Sequence, residues 1–302
     1  MILTVREVLD MARDGLRGFT LRELIVLTVL FVVVTAVLIS IAFSQRSMRG
    51  HQHALKDSTQ VRGIHQAMLF WAQNNKDQSP LPSLIDLNND TVAEQGFAKD
   101  TTANIFSMLI YNGSLSTEIF VSPAEASSRI ALCDAYEFAN PKAAVNPAKA
   151  LWDPAFNADW TGNMPANNSY AHHLPDPGRR TGRWSESFSA NTPIVGNRGP
   201  EVSFVAYDTR GTAIPTFALG DKSLTFLILG TRSRWEGHVA FADNHSEYVS
   251  TTIASKYTAP NGRLKDDVLF FDEPDDASGT NAFLGIFIKA GATRGEFKAI
   301  WD

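Results

Sequence analysis

The longest feature in the chain is a stretch with no polar face. From Leu24 to Phe43, "LIVLTVLFVVVTAVLISIAF", twenty residues pass without a charge. At 1.5 Å per residue, a helix of that length spans about 30 Å, the hydrocarbon thickness of a bilayer. Thr28, Thr35 and Ser40 fit such a helix because each hydroxyl can bond back to a carbonyl one turn earlier. A buried helix of a soluble domain is rarely apolar on every face for so long, so the run predicts a membrane span. From Gln45 to Asn74 the pattern changes. No proline interrupts it, and Val61, Ile64, Met68 and Trp71 recur at three- and four-residue spacing. That is the stripe of an amphipathic stalk helix packed on a globular head. "NNKDQSPLPS" then ends it through Asn74, Asn75, Pro80 and Pro82.

A second helix is predicted from Thr102 to Asn112, closed by Gly113 as a C-terminal cap. The chain then turns to alternating and loop-rich segments. Predicted strands are "TPIVGN", "SLTFLIL", "HVAFAD", "SEYVST", "DVLFFD" and "AFLGIFIKA". In "GHVAFADNHSEYV" two alternating runs flank Asp243-Asn244, residue types that tolerate the left-handed backbone of a tight turn. A loop of those two residues pairs Phe241 with Ser246 and Val239 with Tyr248, and puts His238, His245 and Glu247 on one face.

Composition narrows the picture little. The 302 residues carry a net charge of -5 without a basic block, which argues against nucleic-acid binding. Cys133 is the single cysteine, so no intrachain disulfide or cysteine-built zinc site can form. Arginines and lysines flank the apolar run almost equally, and the positive-inside rule does not orient it. Ala42-Phe43-Ser44 has small residues at signal-peptidase spacing, an alternative processing site.

One acid stands at the mouth of the apolar run. Glu23 closes the sequence Gly18-Phe19-Thr20-Leu21-Arg22-Glu23, and Leu24 comes next. An ionised carboxylate at the centre of a bilayer costs about 2.5–3.5 kcal/mol, and less near the interface, where Arg22 and Glu23 can snorkel. This arrangement resembles the N-terminus of type IV prepilins and pseudopilins. The resemblance implies that a prepilin peptidase cuts between Gly18 and Phe19 and methylates the new terminus. Glu23 then matches the family's acid four residues past that terminus. The amine created on Phe19 would neutralise Glu23 of a neighbouring subunit as helices pack. The chain departs from many pilins in having no proline between Phe19 and Ser79, and in a long leader where Glu7, Asp10 and Asp14 offset the arginines.

The hairpin is similar to a C-terminal one in large prepilin-like proteins of Planctomycetes and related bacteria, whose usual form is a histidine, nine residues, then Asp-Gly. Asp243 and His245 match it; Asn244 replaces the glycine and Ser233 stands in the place of the first histidine. "QVRGIHQAMLFWAQNNKDQSPLP" and "LIYNGSLSTEIFVSPAE" are further echoes of that group, with Ser122-Pro123 where relatives often carry Cys-Pro.

Signs of catalysis in the sequence are few. His172-His173 with Asp176 is the best constellation, yet adjacent histidines on a strand face opposite ways, and "AHHLPDPGRR" reads as an exposed loop. His51, His53 and His65 read as solvated or partly packed. The acids Asp266, Asp267, Asp272, Glu273, Asp275 and Asp276 surround "DVLFF". Asp272, Glu273, Asp275 and Asp276 offer the oxygen ligands calcium takes, without EF-hand spacing, and some pseudopilins hold calcium in a head loop. No other cofactor is expected. Trp152, Trp160 and Trp184 in polar loops suggest a glycan-stacking surface, or anchors of those loops.

The expected fold is therefore α+β and pilin-like: a long N-terminal transmembrane and stalk helix packed on an antiparallel β-sheet head. The divisions are 1–18 leader, 19–78 transmembrane and stalk helix, and 79–302 head. The expected function is structural and non-enzymatic. The chain would be a minor or specialised subunit of a type IV pilus or type II secretion pseudopilus, with prepilin peptidase, other pilin subunits and the inner membrane as partners. Its N-terminus would be cytoplasmic and its head outside the cytoplasm. The alternative is a single-pass anchored envelope protein whose head is a binding module.

Overall fold

The computed structural model describes residues 21–175, 190–230, 232–276 and 281–302; Glu23 and residues 38–51 are described in backbone alone. The chain forms two compact units, Met1–His51 and Gln52–Asp302. Helix α1 carries the bounds Leu21–Asn74, and its residues from Gln52 onward belong to the second unit.

The expected architecture of a transmembrane and stalk helix carrying a pilin-like head needs correction. Beyond α1 the described residues form sheet, loops and short helices, and among the described residues no helix is long and apolar enough to cross a membrane.

The second unit is built on a six-stranded antiparallel sheet. Its strands are β1 (Tyr170–His173), β2 (Pro193–Asn197), β5 (Gly237–Phe241), β6 (Ser246–Val249), β9 (Leu284–Lys289) and β10 (Lys298–Ile300), in the order β10-β9-β1-β2-β5-β6. Two ribbons, β3–β4 (Val202–Tyr207 with Ala213–Phe217) and β7–β8 (Ile253–Thr258 with Leu264–Val268), complete the strands. Alternation along β1 shows why the sheet has two covered faces. Tyr170 joins a core with Val61, Ile64 and Met68 of α1 and with Ile105, Phe106 and Leu109 of a second helix. Ala171 joins the opposite core with Val205, Trp235, Phe270 and Leu284.

Two short helices lie beside α1: α2 (Pro82–Ile85) and α3 (Thr102–Tyr111). The threonine at α3's start and the glycine after its end fix its limits. Thr101 accepts from the Asn104 N–H, and Gly113 takes φ +74°. The Gly113 N–H then reaches the Ile110 carbonyl, and the Ser114 N–H reaches that of Leu109, the paired bonds of a left-handed helix stop. Segment "SLTFLIL" is not a strand: Leu224–Leu227 is a 3₁₀ turn. "DVLFFD" is only partly one, since β8 stops at Val268 and Leu269 and Phe270 are buried as turn residues.

Gly199 marks the tightest approach in the sheet's ribbon-side core. A Cβ there would lie 2.1 Å from the ring of Phe270, and that ring is wedged edge-on against Trp235 with centroids 4.9 Å apart. Gly199→Ala is therefore expected to cost about 1–3 kcal/mol, lowering the melting temperature by roughly 2–12 °C. Thermal unfolding followed by circular dichroism reads this directly; an unchanged midpoint would show that Phe270 has room to move.

Candidate functional site

Gly18 and Phe19 lie outside the described residues, as does the side chain of Glu23. The turns of α1 beyond Glu23 present one kind of surface. From Leu24 to Val37 the large apolar side chains are exposed on every face of the helix, with Phe31 at 72%. Thr28 and Thr35 return their hydroxyls to the carbonyls of Leu24 and Phe31, so no polar group interrupts that surface.

Further along α1, one carboxylate organises the sheet's helical face. Asp57 is fully buried and lies on the helical spacing of Val61, Ile64 and Met68. Its Oδ1 accepts from Ser122 Oγ at 2.5 Å, Tyr170 Oη at 2.9 Å and Asn197 Nδ2 at 2.9 Å. Its Oδ2 accepts from His238 Nδ1 at 2.9 Å. One helical residue thus ties together β1, β2, β5 and the loop at Ser122. Gln60, one turn on, donates to the carbonyls of Glu118 and Val121 at 3.0 and 3.2 Å. Burial and the Asp57 charge hold the Tyr170 hydroxyl well above its usual range. Arg198 and Glu125 pair nearby at 2.7 Å, both enclosed. Ser122 bonds the aspartate rather than the histidine, so the order of groups is not that of an activated serine; the cluster is a fastener.

The hairpin also serves α1. Its register pairs His238 with Tyr248, Val239 with Glu247 and Ala240 with Ser246, one residue away from the expected pairing. Phe241 N–H bonds to the His245 carbonyl and Asn244 takes φ +66°, so the loop is Ala242-Asp243-Asn244. That three-residue connection closes on a left-handed residue. A one-residue slip turns each side chain to the other face. His238 therefore faces Asp57, while His245 lies across the sheet, stacked on Phe241 with centroids 4.5 Å apart. Asp243 accepts from the His245 N–H, a bond that holds its carboxyl below the usual range. Ser246 and Asn244 reach α1 at Ser58 and His65, each at 3.2 Å. His65, expected to be solvated or partly packed, is buried; burial pushes it down to about 4, outweighing its bond to Asn244.

His172 and His173 are core residues of β1 rather than parts of an exposed loop. The turn-forming prolines that suggested a loop begin only at Pro175, and Asp176 lies outside the described residues. His172 Nδ1 donates to the His173 carbonyl at 2.9 Å, and Nε2 accepts from Thr102 Oγ1 at 2.8 Å. The same Thr102 oxygen accepts from Phe287 N–H at 2.7 Å. Burial between Phe106 and Phe287 pushes His172 down to about 4.

The acids around β8 act as acceptors for the surrounding ribbons. Asp266 pairs with Lys256 at 3.0 Å, Asp275 with Lys265 at 2.5 Å, and Asp272 with Arg294. Asp276 accepts from Asn281 N–H at 2.7 Å. Glu273 accepts from Tyr207, Val268 and Asn281; burial, with the charge of Asp267, pushes it up to about 8. Among the described residues, no group of three or more His, Cys, Asp or Glu is placed to hold a metal ion. Trp152 and Trp160 are buried and Trp184 lies outside the described residues, so two of the three supposed sugar-stacking rings are loop anchors.

No protein family, curated protein or solved structure matches the chain.

Proposed function

We propose that this chain is a prepilin-like structural subunit, cut after Gly18 by a prepilin peptidase and assembled into a type IV pilus or type II secretion pseudopilus. The supporting observation is the exposed apolar surface of α1 from Leu24 to Val37, directly after the Gly18–Glu23 motif. Burying one Val, Leu, Ile or Phe side chain is worth about 1.5–3 kcal/mol, and a continuous patch of this extent marks an interaction surface. The inner membrane covers it before assembly, and the same helices of neighbouring subunits cover it afterwards.

In that setting Glu23 has a defined partner. Removing the leader creates a cation on Phe19, and in the apolar surroundings of packed helices the two charges attract more strongly than in water. Asp57, Gln60 and the hairpin fasten the later turns of α1 to the sheet within the second unit, and the head lies outside the cytoplasm. The function is assembly, not catalysis, and the size of the head suits a minor or specialised subunit. A recognition role through Trp152 and Trp160 loses support because their faces are enclosed.

Glu23→Ala is expected to leave cleavage at Gly18 intact and to abolish filaments sheared from cells. Filaments of normal abundance from the variant would remove Glu23 from the mechanism.

A further inference from the structure

A lysine and an aspartate meet in the interior, apart from the assembly surface. Lys99 ends the 3₁₀ turn Gly96–Lys99, and Asp86 comes directly after α2. The two side chains are each 1% exposed, with Lys99 Nζ 2.9 Å from Asp86 Oδ2. Nζ also donates to the main-chain carbonyl of Asp86. The chain after Asp86 curls back so that its N–H groups point at the carboxyl. Asp90 N and Thr91 N lie 2.9 and 3.3 Å from Oδ1, and Val92 N lies 3.5 Å from Oδ2.

Enclosing two opposite charges carries a desolvation cost that their attraction only partly offsets. An amide in the same place needs only a donor for its carbonyl and an acceptor for its N–H. Both are present: Asp90 and Thr91 N–H groups for Oδ1, and the Asp86 main-chain carbonyl for the nitrogen.

We propose that Lys99 and Asp86 condense to an intramolecular isopeptide bond between Nζ and Cγ. A proton passes from the ammonium to Oδ2 through their hydrogen bond, leaving an amine and a carboxylic acid. The amine lone pair attacks Cγ, and the negative charge formed on Oδ1 faces the Asp90 and Thr91 N–H groups, which act as oxyanion donors. A second proton moves from nitrogen to the Oδ2 hydroxyl, the Cγ–Oδ2 bond breaks, and Oδ2 leaves as water. The carbonyl reforms at Oδ1. One C–N bond is made, one C–O bond is broken, and no oxidant, reductant or co-reactant is consumed. Holding the reacting groups in contact supplies the effective concentration that such a condensation lacks in water. The product staples the Asp86–Lys99 loop ahead of α3.

The test uses the full-length chain extracted in mild detergent, unfolded in urea, with its amines exhaustively acetylated. The expected intact mass is one water below that of the uncondensed chain, with Lys99 unacetylated. Cleavage after Glu94 is expected to leave the two halves joined through Asp86 and Lys99. Lys99→Arg, which preserves the ion pair but cannot condense in this way, should show no deficit and should fall into separate halves. Acetylation of Lys99 as complete as that of the exposed Lys149, with halves that separate after cleavage at Glu94, would overturn the assignment and leave an ordinary ion pair.

Discussion

Replacing Asp57 with alanine is expected to lower the stability of the second unit by about 3–5 kcal/mol, because several buried donors lose their one acceptor at about 1 kcal/mol or more each. The loss has several sources. Ser122, Tyr170, Asn197 and His238 all donate to this one carboxylate, and each would be left in a dry interior without its acceptor. The substitution also leaves a void on the stripe of α1 that faces the sheet. Domains commonly hold only 5–15 kcal/mol in total, so the variant would sit near the edge of folding. Asp57→Asn should cost less. Its carbonyl can keep the donors of Oδ1, and a neutral His238 can present an Nδ1 lone pair to the new amide. Urea unfolding followed by fluorescence of the buried Trp152 and Trp235 ranks the three proteins. A loss for alanine below about 1 kcal/mol, the worth of one ordinary hydrogen bond, would mean the hub does not fasten helix to sheet.

Acidification is expected to have a comparable effect through two histidines. His65 and His172 both titrate at about 4 in the folded chain against 6.5 when free. Their folded values are depressed, so between these limits the unfolded state binds protons that the native state refuses. Stability therefore falls as pH drops from 6.5 towards 4, by up to about 3 kcal/mol for each residue. Carboxylates such as Glu125, held low by Arg198 against the opposing effect of burial, lose their contribution only at more acid pH, so the two windows separate. Glu273, pushed up to about 8, acts the other way, because its native form holds a proton that the unfolded form releases above about 4.5. Two rings outweigh one carboxyl below pH 6.5, so urea midpoints should decline from pH 6.5 to 4.5, and His65→Gln should remove most of that slope. A midpoint that rises steadily from pH 6.5 to 4.5 would contradict the burial and neutrality of both rings.

Local chemistry was legible where it is self-contained. The Thr102–Tyr111 helix follows from its apolar run and Gly113, and β2, β5, β6 and β9 follow from alternation between turn residues. The hairpin shows where local reasoning stops. Asp243-Asn244 suits a two-residue turn, but Ala242 joins them, and the slip carries His238 to the face where Asp57 waits. Nothing in the sequence order of strands foretells that β1 lies between β2 and β9, because that depends on which faces find cover. The same holds for the histidines of β1, which look like loop residues until Thr102 and Phe287 arrive from distant segments. Asp57 did leave a trace, a lone acid in register with Val61, Ile64, Met68 and Trp71. An ionisable residue on an apolar stripe must find partners, and the sheet supplies them. The apolar run and the Gly18–Glu23 motif are plain in the sequence because each is a pattern of consecutive residues.

The central claim rests on what happens between Gly18 and Phe19. Mass spectrometry of the N-terminus of the chain purified from its native source tests it most directly. The assembly account predicts a terminus at Phe19 carrying one N-methyl group, which supplies the amine that Glu23 pairs with. A chain still beginning at Met1, or one beginning at Gln45 after signal-peptidase cleavage, would contradict it.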